Sequence, residues 1–584
     1  MGISRQHYSP QGTEKQEPLK QTWDLPPIVE EGLRNPIIKE LLKQRGIKTT
    51  EEVKKFFFPS LNDLYDPFLM PGMDKAVSRL NQAMGRKENI MVFGDYDVDG
   101  TTAVALVYKY LQRFYSNIEY RIPTREDDGY GITMRAVDEF KEAGIDLVII
   151  LDCGIKAIDE IAYAKSLGID FIICDHHVPD SSLPDAAAIL NPKLEDSTYP
   201  FPHLSGCGVG FKFMQGFTIS NGIPQHDLFG MLDLVAVSIA ADIVPMIGEN
   251  RIMAFHGLKR LNTNPNMGLR AIMRICDLIG KEISISDVIF KISPRINASG
   301  RMQRGVEAVD LLVSRDFGEA LTRAKAIDGY NSDRKELDKQ ITEEANEIIE
   351  RISHRLQDRR SMVIYNKDWH QGIIGIVASR LTELYYKPVV VLTLHNGLAT
   401  GSSRSVQGFD VYKAVEATRD LLENFGGHSY AVGLSMKEEN VPEFTRRFEE
   451  YVAANILPDQ LQPTVTVDAD IEFADITPTF IQLLKLFRPY GPSNEKPVFR
   501  TKNVTDFGTS RLVGKNDEHI KLDIVDETSG TVMDAIAFNM NEKWDLVHSG
   551  RPFTIAYTIV ENKHHTARPG TFQLLVKEIE SNNR

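Results

Sequence analysis

The sequence predicts an α/β protein with a mostly parallel sheet, followed by a smaller α/β domain and an OB-like β-barrel. Apolar strand-like runs alternate with helical patterns from residue 76 to residue 192, and a second alternation begins at residue 361. After residue 460 the runs become short and alternate in polarity between Gly, Asn and Asp turns. Apolar strands separated by helices are typical of parallel sheets covered on both faces, whereas short alternating strands are typical of small barrels.

The same changes of pattern divide the chain into five segments. They are an N-terminal tail with a helical lead-in (1–75), a first α/β domain (76–315), a connecting helix (316–358), a second α/β domain (359–455) and an OB-like domain (460–584). In the lead-in, PIIKELLKQRGI and EEVKKFFFP have helical spacing and proline-bounded ends, which are typical limits of helices. The long polar-faced helix is expected to join the two α/β domains.

Composition and charge restrict the class of protein. The 584 residues are 42% hydrophobic and 25% charged, as in globular proteins, and no apolar run approaches the roughly 20 residues that span a bilayer. The polar N-terminus lacks a secretory core and the four Cys suggest no disulfide framework, so we expect a cytoplasmic protein without membrane contacts. The net charge of −14 means that an anionic substrate must meet cations locally.

Acids and imidazoles follow three strands of the first α/β domain. Asp95, Asp97 and Asp99 alternate in MVFGDYDVDGTTA, Asp152 follows an apolar run in LDCGI, and Asp-His-His occupies 175–177 after IDFIIC. The carboxyl ends of parallel strands meet at one crevice, so these groups can lie together although they are distant in sequence. Taken alone, the Asp-rich loop is equally typical of a structural Ca²⁺ loop or a helix cap.

The Asp-His-His segment is the strongest single indication of a metal site, because packing does not explain two adjacent imidazoles leaving a buried strand. His176 is the candidate ligand, while His177 can instead orient substrate or donate a proton. Asp242 in SIAADIVPM lies in an apolar segment, where an unpaired carboxylate is costly and a metal would remove that cost. Asp233 is the competing candidate upstream.

A set of carboxylates and imidazoles suits Mn²⁺ or Mg²⁺ better than a thiolate-preferring metal. Cys153 and Cys174 lie behind the motifs on their strands, and we interpret both as small core residues. The candidate ligands suffice for two ions about 3.5–4 Å apart, of which one activates water and the other offsets charge on the leaving oxygen. The predicted chemistry is hydrolysis at phosphorus.

These motifs also resemble a known family. GDYDVDG, LDCGI, DHH and the Asp in AADIVP resemble the four metal-binding motifs of the DHH phosphoesterase superfamily, and FGGHSYAVG resembles the signature of its DHHA1 domain. PRINASGRM, WHQGIIGIVASR, GSSRSVQGFD and YGPSNEKPVF are similar to segments of the RecJ family, the bacterial single-strand-specific 5′→3′ DNA exonucleases. The resemblance covers residues 20–580 in the same domain order, with Pro492-Ser493 where the family usually has a Gly-containing turn.

The resemblance implies roles for individual residues. Two Mn²⁺ or Mg²⁺ ions would be held by Asp97, Asp99, Asp152, His176 and Asp242, with Asp152 bridging and Asp95 an additional or second-shell ligand. His177 would lie near the scissile phosphate, so His177 and Asp152 are the predicted catalytic residues.

Substrate-binding residues follow from the same resemblance. Arg125 and Arg301 would hold the DNA backbone, and the terminal 5′ phosphate would be surrounded by Arg380, Ser402, Arg404, Gly427 and His428. Arginine suits this task through its bidentate fork. The alternatives are an ordinary surface ion pair for each Arg, above all Arg380, and a simple tight turn at Gly426-Gly427. In the OB-like domain the candidate DNA contacts are Phe507, Arg511, Lys515, Lys521, Phe538, Lys563 and Arg568, although aromatics of a small barrel also serve as core.

The resemblance therefore implies a single-stranded-DNA-specific 5′→3′ exonuclease of DNA recombination and repair, with a DHH catalytic domain, a DHHA1 substrate-binding domain and an OB-like nucleic-acid-binding domain. A helicase and a single-strand-binding protein are the expected partners of a monomer. Two alternatives remain at this point. One is a phosphodiesterase for short oligonucleotides or cyclic dinucleotides, against which the 460–584 domain argues, and the other is a catalytically silent DNA-binding scaffold.

Overall fold

The computed structural model describes residues 3–4, 27–124, 131–302, 305–352, 358–562 and 571–582. The chain forms two compact units, one of residues 60–461 and one that combines residues 1–59 with 462–584. The predicted fold class is confirmed, because a parallel sheet, a smaller mixed sheet and a closed β-barrel follow one another along the chain. None of the described helices combines the length and the apolar character needed to cross a membrane.

Helices near the N-terminus pack against the C-terminal barrel. The elements are β1 (Ile3–Ser4), α1 (Pro27–Gly32), α2 (Pro36–Gln44) and α3 (Thr50–Phe57). A capping box between Thr49 and Glu52 begins α3, as its sequence suggests. The side chains of Val29, Ile38, Leu41, Val53 and Phe57 enter the barrel core. The local pattern predicts these helices, whereas nothing local indicates their distant packing partner.

The first α/β domain is built on five parallel strands. They are β2 (Ile90–Gly94), β3 (Ile118–Arg121), β4 (Leu147–Leu151), β5 (Asp170–Cys174) and β6 (Ala188–Leu190), in the order β3-β2-β4-β5-β6. Helix α4 (Met73–Arg86) precedes β2, and the helices between the strands are α5 (Val98–Leu111), α6 (Met134–Glu142) and α7 (Ile158–Ser166). Helices cover both faces, so every residue of β2 and β4 is buried and the loops after β2, β4 and β5 share one edge.

A helical region follows the sheet and covers the start of α5. It contains α8 (Gly206–Ser220), α9 (His226–Phe229), α10 (Leu232–Ala241), α11 (Gly248–Thr263), α12 (Met267–Ile275), α13 (Ile285–Asp287), a π-helical turn (Val288–Ile292), α14 (Ser293–Met302) and α15 (Val306–Val313). Helices α8 and α10 are buried nearly all round, which explains their lack of a polar face.

The long helix α16 (Phe317–Arg351) leads into the second α/β domain. Its strands are β7 (Met362–Tyr365), β8 (Val389–His395), β9 (Leu398–Arg404), β10 (Leu422–His428) and β11 (Ala431–Met436), in the order β10-β11-β9-β8-β7. Its helices are α17 (Gln371–Tyr385), α18 (Val411–Glu416) and α19 (Val441–Asn455). Only β7 and β8 pair in parallel, and the other neighbours are antiparallel.

The C-terminal segment forms a five-stranded closed barrel. The elements are β12 (Val465–Thr466), β13 (Ala469–Asp470), α20 (Pro478–Leu486), β14 (Phe499–Asp506), β15 (Arg511–Val513), β16 (His519–Asp526), β17 (Val532–Ala537), α21 (Trp544–Val547), β18 (Phe553–Glu561) and β19 (Phe572–Ser581). Strand β14 pairs with both β18 and β16, which closes the barrel. The alternating burial along β16 is the period-two pattern seen in the sequence.

Candidate metal centre

The acidic loop after β2 turns directly into α5. Asp97 is the N-cap of this helix, and its Oδ1 accepts a hydrogen bond from the Gly100 backbone N–H at 3.1 Å. A Cβ atom on Gly100 would lie 2.4 Å from the Asp95 carbonyl oxygen, so only glycine allows this close return of the chain. The loop therefore presents Asp95, Asp97 and Asp99 around a single tight turn.

Asp99 is held by the beginning of α8. Its carboxylate accepts hydrogen bonds from the backbone N–H groups of Gly206 (2.6 Å) and Cys207 (2.7 Å) and from the Ser238 hydroxyl (2.7 Å). Free N–H groups at a helix N-terminus stabilise an anion. These contacts fix the orientation of Asp99, and no motif in the sequence indicates Ser238 as a partner.

Asp152 has the left-handed backbone conformation, with φ of +60°, which is unusual for a residue other than glycine and accompanies functional sites. Its Oδ1 is buried and accepts no hydrogen bond from the described residues. A Cβ atom on Gly206 would lie 2.4 Å from this oxygen, so α8 approaches the carboxylate as closely as a glycine permits. A buried carboxylate oxygen without a donor is the observation expected of a cation ligand.

His176 lies at the middle of the cluster. Its Nδ1 is 3.0 Å from the Leu204 carbonyl oxygen, and because a carbonyl can only accept, Nδ1 must carry the proton. Nε2 is then the lone-pair nitrogen, and it lies 3.2 Å from Asp152, 3.7 Å from Asp242 and 3.9 Å from Asp99. A backbone carbonyl that accepts from one ring nitrogen and so fixes the tautomer is typical of metal-binding histidines.

Asp175 orients the next residue. Its carboxylate accepts hydrogen bonds from the backbone N–H groups of His176 (2.7 Å), His177 (3.1 Å) and Ile155 (3.0 Å) and lies 2.7 Å from His177 Nδ1. Burial raises the pKa of Asp175, but these bonds, above all that from His177, outweigh it and leave the pKa at about 2. Burial lowers the pKa of His177, but the hydrogen bond to Asp175 and its negative charge raise it by more, so the pKa of His177 lies above its ordinary value.

The structure separates the two candidates on α10. Asp242 follows the helix and reaches His176, whereas Asp233 lies at the beginning of the helix and accepts backbone hydrogen bonds from Leu234 and Asn266. Asp242 is therefore the member of the acidic cluster. Asp233 is a buried carboxylate that is satisfied by these backbone donors.

The carboxylates of the assembled cluster repel one another electrostatically. Three groups of side chains could each hold a metal ion, because the ligand atoms within each group lie within 4.8 Å of one another. The groups are Asp95, Asp97 and Asp152; Asp99, His176 and Asp242; and Asp152, His176 and His177. Burial, and then repulsion from the neighbouring acids, raises the pKa of Asp97, raises that of Asp152 strongly, and raises that of Asp242 to about 8. Divalent cations would offset this repulsion, and the oxygen and imidazole donors fit Mn²⁺ or Mg²⁺.

In the second α/β domain, Arg404 is a half-buried cation with neutral hydrogen-bond partners. It donates to the Ser379 hydroxyl (3.1 Å), the Ser402 hydroxyl (2.7 Å) and the Ser403 carbonyl (2.7 Å). Burial alone lowers the pKa of its guanidinium. A half-buried Arg that has no carboxylate partner among the described residues is well suited to receive an anion. Ser402 and Arg404 thus lie together, as the resemblance implies.

His428 ends β10, and Gly427 precedes it with φ of +149°. A Cβ atom on Gly427 would lie 2.2 Å from the Ala431 carbonyl oxygen, so the backbone needs a glycine at this position, where β10 pairs with β11. Burial and then His177 lower the pKa of His428. The end of β10 therefore lies within electrostatic reach of the acidic cluster.

The remaining predicted arginines have different surroundings. Arg301 on α14 donates to the Gly372 carbonyl at the beginning of α17 (2.9 Å). Arg380 forms an ion pair with the buried Asp338 at 2.7 Å, so its partner is not a surface carboxylate. Arg125 lies outside the described residues.

Lys193 is a further charged group near the cluster that the motifs do not indicate. It follows β6 in the segment NPK, at the same sheet edge as the acidic loop. Burial lowers its pKa, against the influence of Asp242 and Asp175. In the sequence, Lys193 could have been found by its position directly after the next predicted strand, because the ends of parallel strands lie at one edge of the sheet.

In the barrel, Phe507 and Phe538 are 60% and 52% exposed, so neither aromatic is core. Arg511 and Lys515 are exposed, and Lys521 is paired with Asp534. Lys563 and Arg568 lie outside the described residues.

Comparison with known proteins gives a consistent result. Family models match residues 89–239 (DHH family, N-terminal domain), 359–454 (DHHA1 domain) and 467–578 (RecJ OB domain). The single-stranded-DNA-specific exonuclease RecJ of Bacillus subtilis is 35% identical over 93% of this chain and 68% of its own, and that of Escherichia coli is 32% identical over 93% and 96%. The crystal structure of RecJ from Thermus thermophilus with Mn²⁺ superposes with a TM-score of 0.80 at 25% identity, over 96% of this chain and 79% of that one.

Proposed function

This chain belongs to the RecJ family of the DHH superfamily, and on that premise we propose that it is a single-stranded-DNA-specific 5′→3′ exonuclease of DNA recombination and repair. It hydrolyses phosphodiester bonds with two divalent metal ions. Two observations support this proposal. Family models match the DHH, DHHA1 and OB segments of the same chain, and an acidic cluster lies at the sheet edge. A silent scaffold would not need to retain this self-repelling cluster.

The observation that carries the proposal is the buried Oδ1 of Asp152, which lacks a hydrogen-bond donor among the described residues and lies in two of the three ligand groups. We assign Asp152 as the bridge between two Mn²⁺ or Mg²⁺ ions. The other ligands are Asp97, Asp99, His176 and Asp242, with Asp95 in support. When bound, the ions activate a water for in-line attack and offset charge on the leaving oxygen.

The protein's own groups position the reaction. Asp99 is fixed by α8 and Ser238, and His176 by the Leu204 carbonyl, so the ligands are oriented before substrate binds. His177 is held through Nδ1 by Asp175. Its Nε2 is then the ring nitrogen that donates to a phosphate oxygen, and the raised pKa favours the protonated form.

The terminal 5′ phosphate is proposed to bind Arg404 and Ser402, with Gly427 and His428 beside it. Gly375 supports this placement, because a Cβ atom there would lie 3.1 Å from the Ser402 hydroxyl and 3.2 Å from Arg404. Arg301 and Arg125 remain predicted contacts of the DNA backbone. Arg380 remains a predicted phosphate ligand, although its guanidinium is engaged by Asp338.

The exposed Phe507 and Phe538 of the barrel are proposed to stack on bases of the single strand. A helicase and a single-strand-binding protein would supply and protect that strand. We propose a monomer that acts in the cytoplasm, where bacterial DNA is processed.

Digestion of labelled strands with Mn²⁺ tests the function. A 5′-labelled single strand should release labelled mononucleotide from the start, a 3′-labelled strand should shorten progressively, and the blunt duplex should stay intact. Release of label from the 3′ end first would contradict the polarity. Efficient cleavage of a dinucleotide but not of a 5′-phosphorylated 40-mer would instead indicate a short-oligonucleotide phosphodiesterase.

A further inference from the structure

The buried face of α16 is apolar at its two ends and polar in its middle. Ile327 belongs to the core of the first α/β domain, whereas Ile341 belongs to the core of the second. Between them, Asn331, Arg334 and Asp338 follow one another at helical spacing on this face. Asn331 and Asp338 are buried, with exposed fractions of 1% and 0%. The polar segment therefore lies where the helix passes from one domain to the other.

Each of these three side chains has a buried polar atom without a hydrogen-bond partner among the described residues. The atoms are Asn331 Oδ1, Arg334 Nε and Asp338 Oδ1. Leaving such groups unsatisfied costs stability, and apolar residues would stabilise a purely structural contact better. Asp338 Oδ2 accepts a hydrogen bond from Arg380 Nη2 at 2.7 Å. This ion pair links α16 to α17 in the middle of the polar segment.

Arg334 also lines a cleft of about 200 Å³. Its other lining residues are Ala241, Ile289, Ser293, Pro294, Asn297, Arg301 and Ile376. The described lining residues include two guanidinium groups and no carboxylate. The buried Ser293 hydroxyl also lacks a partner in the described part of the chain. The cleft thus offers hydrogen-bond donors and positive charge, which together suit an anion.

Two residues of the cleft lining adjoin the metal centre. Asn297 Oδ1 accepts a hydrogen bond from the Val98 backbone N–H at 3.1 Å, and Val98 lies between Asp97 and Asp99. Ala241 precedes Asp242 directly. An anion in this cleft would accordingly be close to the phosphodiester that the metals cleave.

The charge of Arg334 is incompletely balanced in this position. Burial lowers the pKa of its guanidinium, Asp338 opposes this effect and Arg380 adds to it. The side chain nevertheless stays protonated, because an arginine is charged under all ordinary conditions. A phosphate would supply the missing negative charge.

We propose that Arg334 binds a backbone phosphate of the substrate strand in this cleft, and that Asp338, held by Arg380, positions it. This inference rests on the proposed exonuclease function. The long helix is then a substrate-binding element as well as a connector. Asp338 is a positioning residue, since it acts through Arg334.

Salt-dependent kinetics of the Mn²⁺-loaded enzyme on a 5′-phosphorylated 20-mer test the proposal. Arg334→Met should raise KM about tenfold with kcat little changed, because one charge-assisted contact is lost. The slope of log KM against log salt should fall by about 0.7, the value for one phosphate of a single strand. Lys335→Met, at an exposed position of the same helix, is the matched control and should leave KM and slope unchanged.

A methylphosphonate scan locates the contact. Neutralising the linkages nearest the 5′ end one at a time should reveal one whose change raises the wild-type KM but not that of Arg334→Met. Additive effects at every linkage, or an unchanged salt slope in Arg334→Met, would overturn the proposal. If Arg334→Met fails to fold by circular dichroism, Arg334→Gln serves for the same comparison. A wild-type enzyme that does not degrade single strands refutes the proposed function itself.

If Asp338 positions Arg334, the effects of changing the two residues on KM must be non-additive. Asp338→Asn keeps the shape of the side chain, and we expect it to raise KM in the wild-type background but not in Arg334→Met. Equal effects of Asp338→Asn in both backgrounds would indicate a purely structural role.

Discussion

At the scale of single residues, Asp152 combines an unfavourable backbone conformation with an unfavourable charge. Its φ of +60° and its buried Oδ1 each cost free energy, and repulsion from Asp99 and Asp97 adds to the effect of burial on its pKa. Proteins keep such costs at functional sites, where a ligand or a reaction offsets them. The metal-free site is therefore predicted to lower the stability of the fold.

Asp152→Asn tests this balance. The amide has the shape of the carboxylate without its charge, so we expect the melting temperature in EDTA to rise while stabilisation by Mn²⁺ is lost. Exonuclease activity should fall by more than the roughly 10- to 100-fold that loss of a partner of a metal ligand costs, because Asp152 is proposed as a ligand itself. Calorimetry with and without Mn²⁺ and digestion of a labelled single strand provide the measurements. Undiminished activity would refute the bridging assignment.

The ionisation of Asp242 should make both the stability of the metal-free protein and its metal binding depend on pH. Its pKa rises from 3.8 to about 8 on folding without metal. For an acid with a raised pKa, the contribution to stability is present below pH 3.8 and is lost as the pH rises towards 8. Metal binding needs the ionised form and releases protons, so the difference in melting temperature between Mn²⁺ and EDTA should widen from pH 5 to pH 8. A difference that stays constant over this range would contradict the raised pKa.

At the scale of elements, the metal centre depends on helices as much as on strands. The strands place the acids at one sheet edge, but α8 and α10 supply the donors that orient Asp99. Helix α16 likewise contributes Arg334 to the cleft beside the centre and Asp338 to the ion pair with Arg380. The pattern of the sequence predicts these helices without indicating that their polar residues face the site.

Ser238→Ala tests the contribution of α10. The change removes one hydrogen bond to Asp99 while the two backbone donors of α8 remain. We expect the Mn²⁺ concentration for half-maximal activity to rise about tenfold, as for other partners of metal ligands. Isothermal titration with Mn²⁺ should show the same loss of affinity. An unaltered metal requirement would mean that the α8 backbone alone orients Asp99.

At the scale of the whole molecule, the two compact units differ in how the chain builds them. Residues 60–461 form one continuous unit that contains both α/β domains, whereas the second unit joins residues 1–59 to 462–584. The hydrophobic core of the second unit contains Leu41 and Phe57 beside Phe487 and Tyr557. The barrel is thus completed by helices from the opposite end of the chain.

Leu41→Ala should reveal this dependence. Leu41 is fully buried, and truncation of such a leucine costs about 2–5 kcal/mol. Hydrogen exchange measured by mass spectrometry should accelerate in the barrel strand β18 and not in β4 of the parallel sheet. Leu183→Ala, at a 45% exposed position, is the control. Equal exchange in β18 of both variants would contradict the shared core.

The sequence by itself determined the fold class and the family, because strand and helix periodicities are local and the motifs at 95–99, 152, 175–177 and 242 are short and ordered. It also placed the acids at strand ends, and the topology of a parallel sheet brings such ends together. The apolar context alone left Asp233 as an alternative to Asp242, and the tertiary structure shows how the neighbours of the two carboxylates differ: Asp242 reaches His176, whereas Asp233 accepts a backbone hydrogen bond from Asn266.

The tertiary structure alone likewise revealed the donors of Asp99, the position of Lys193, the polar face of α16 and the packing of the N-terminal helices on the barrel. Each of these depends on contacts between residues distant in sequence. The direction of a helix face is set by what packs against it, and no local pattern encodes the identity of that partner.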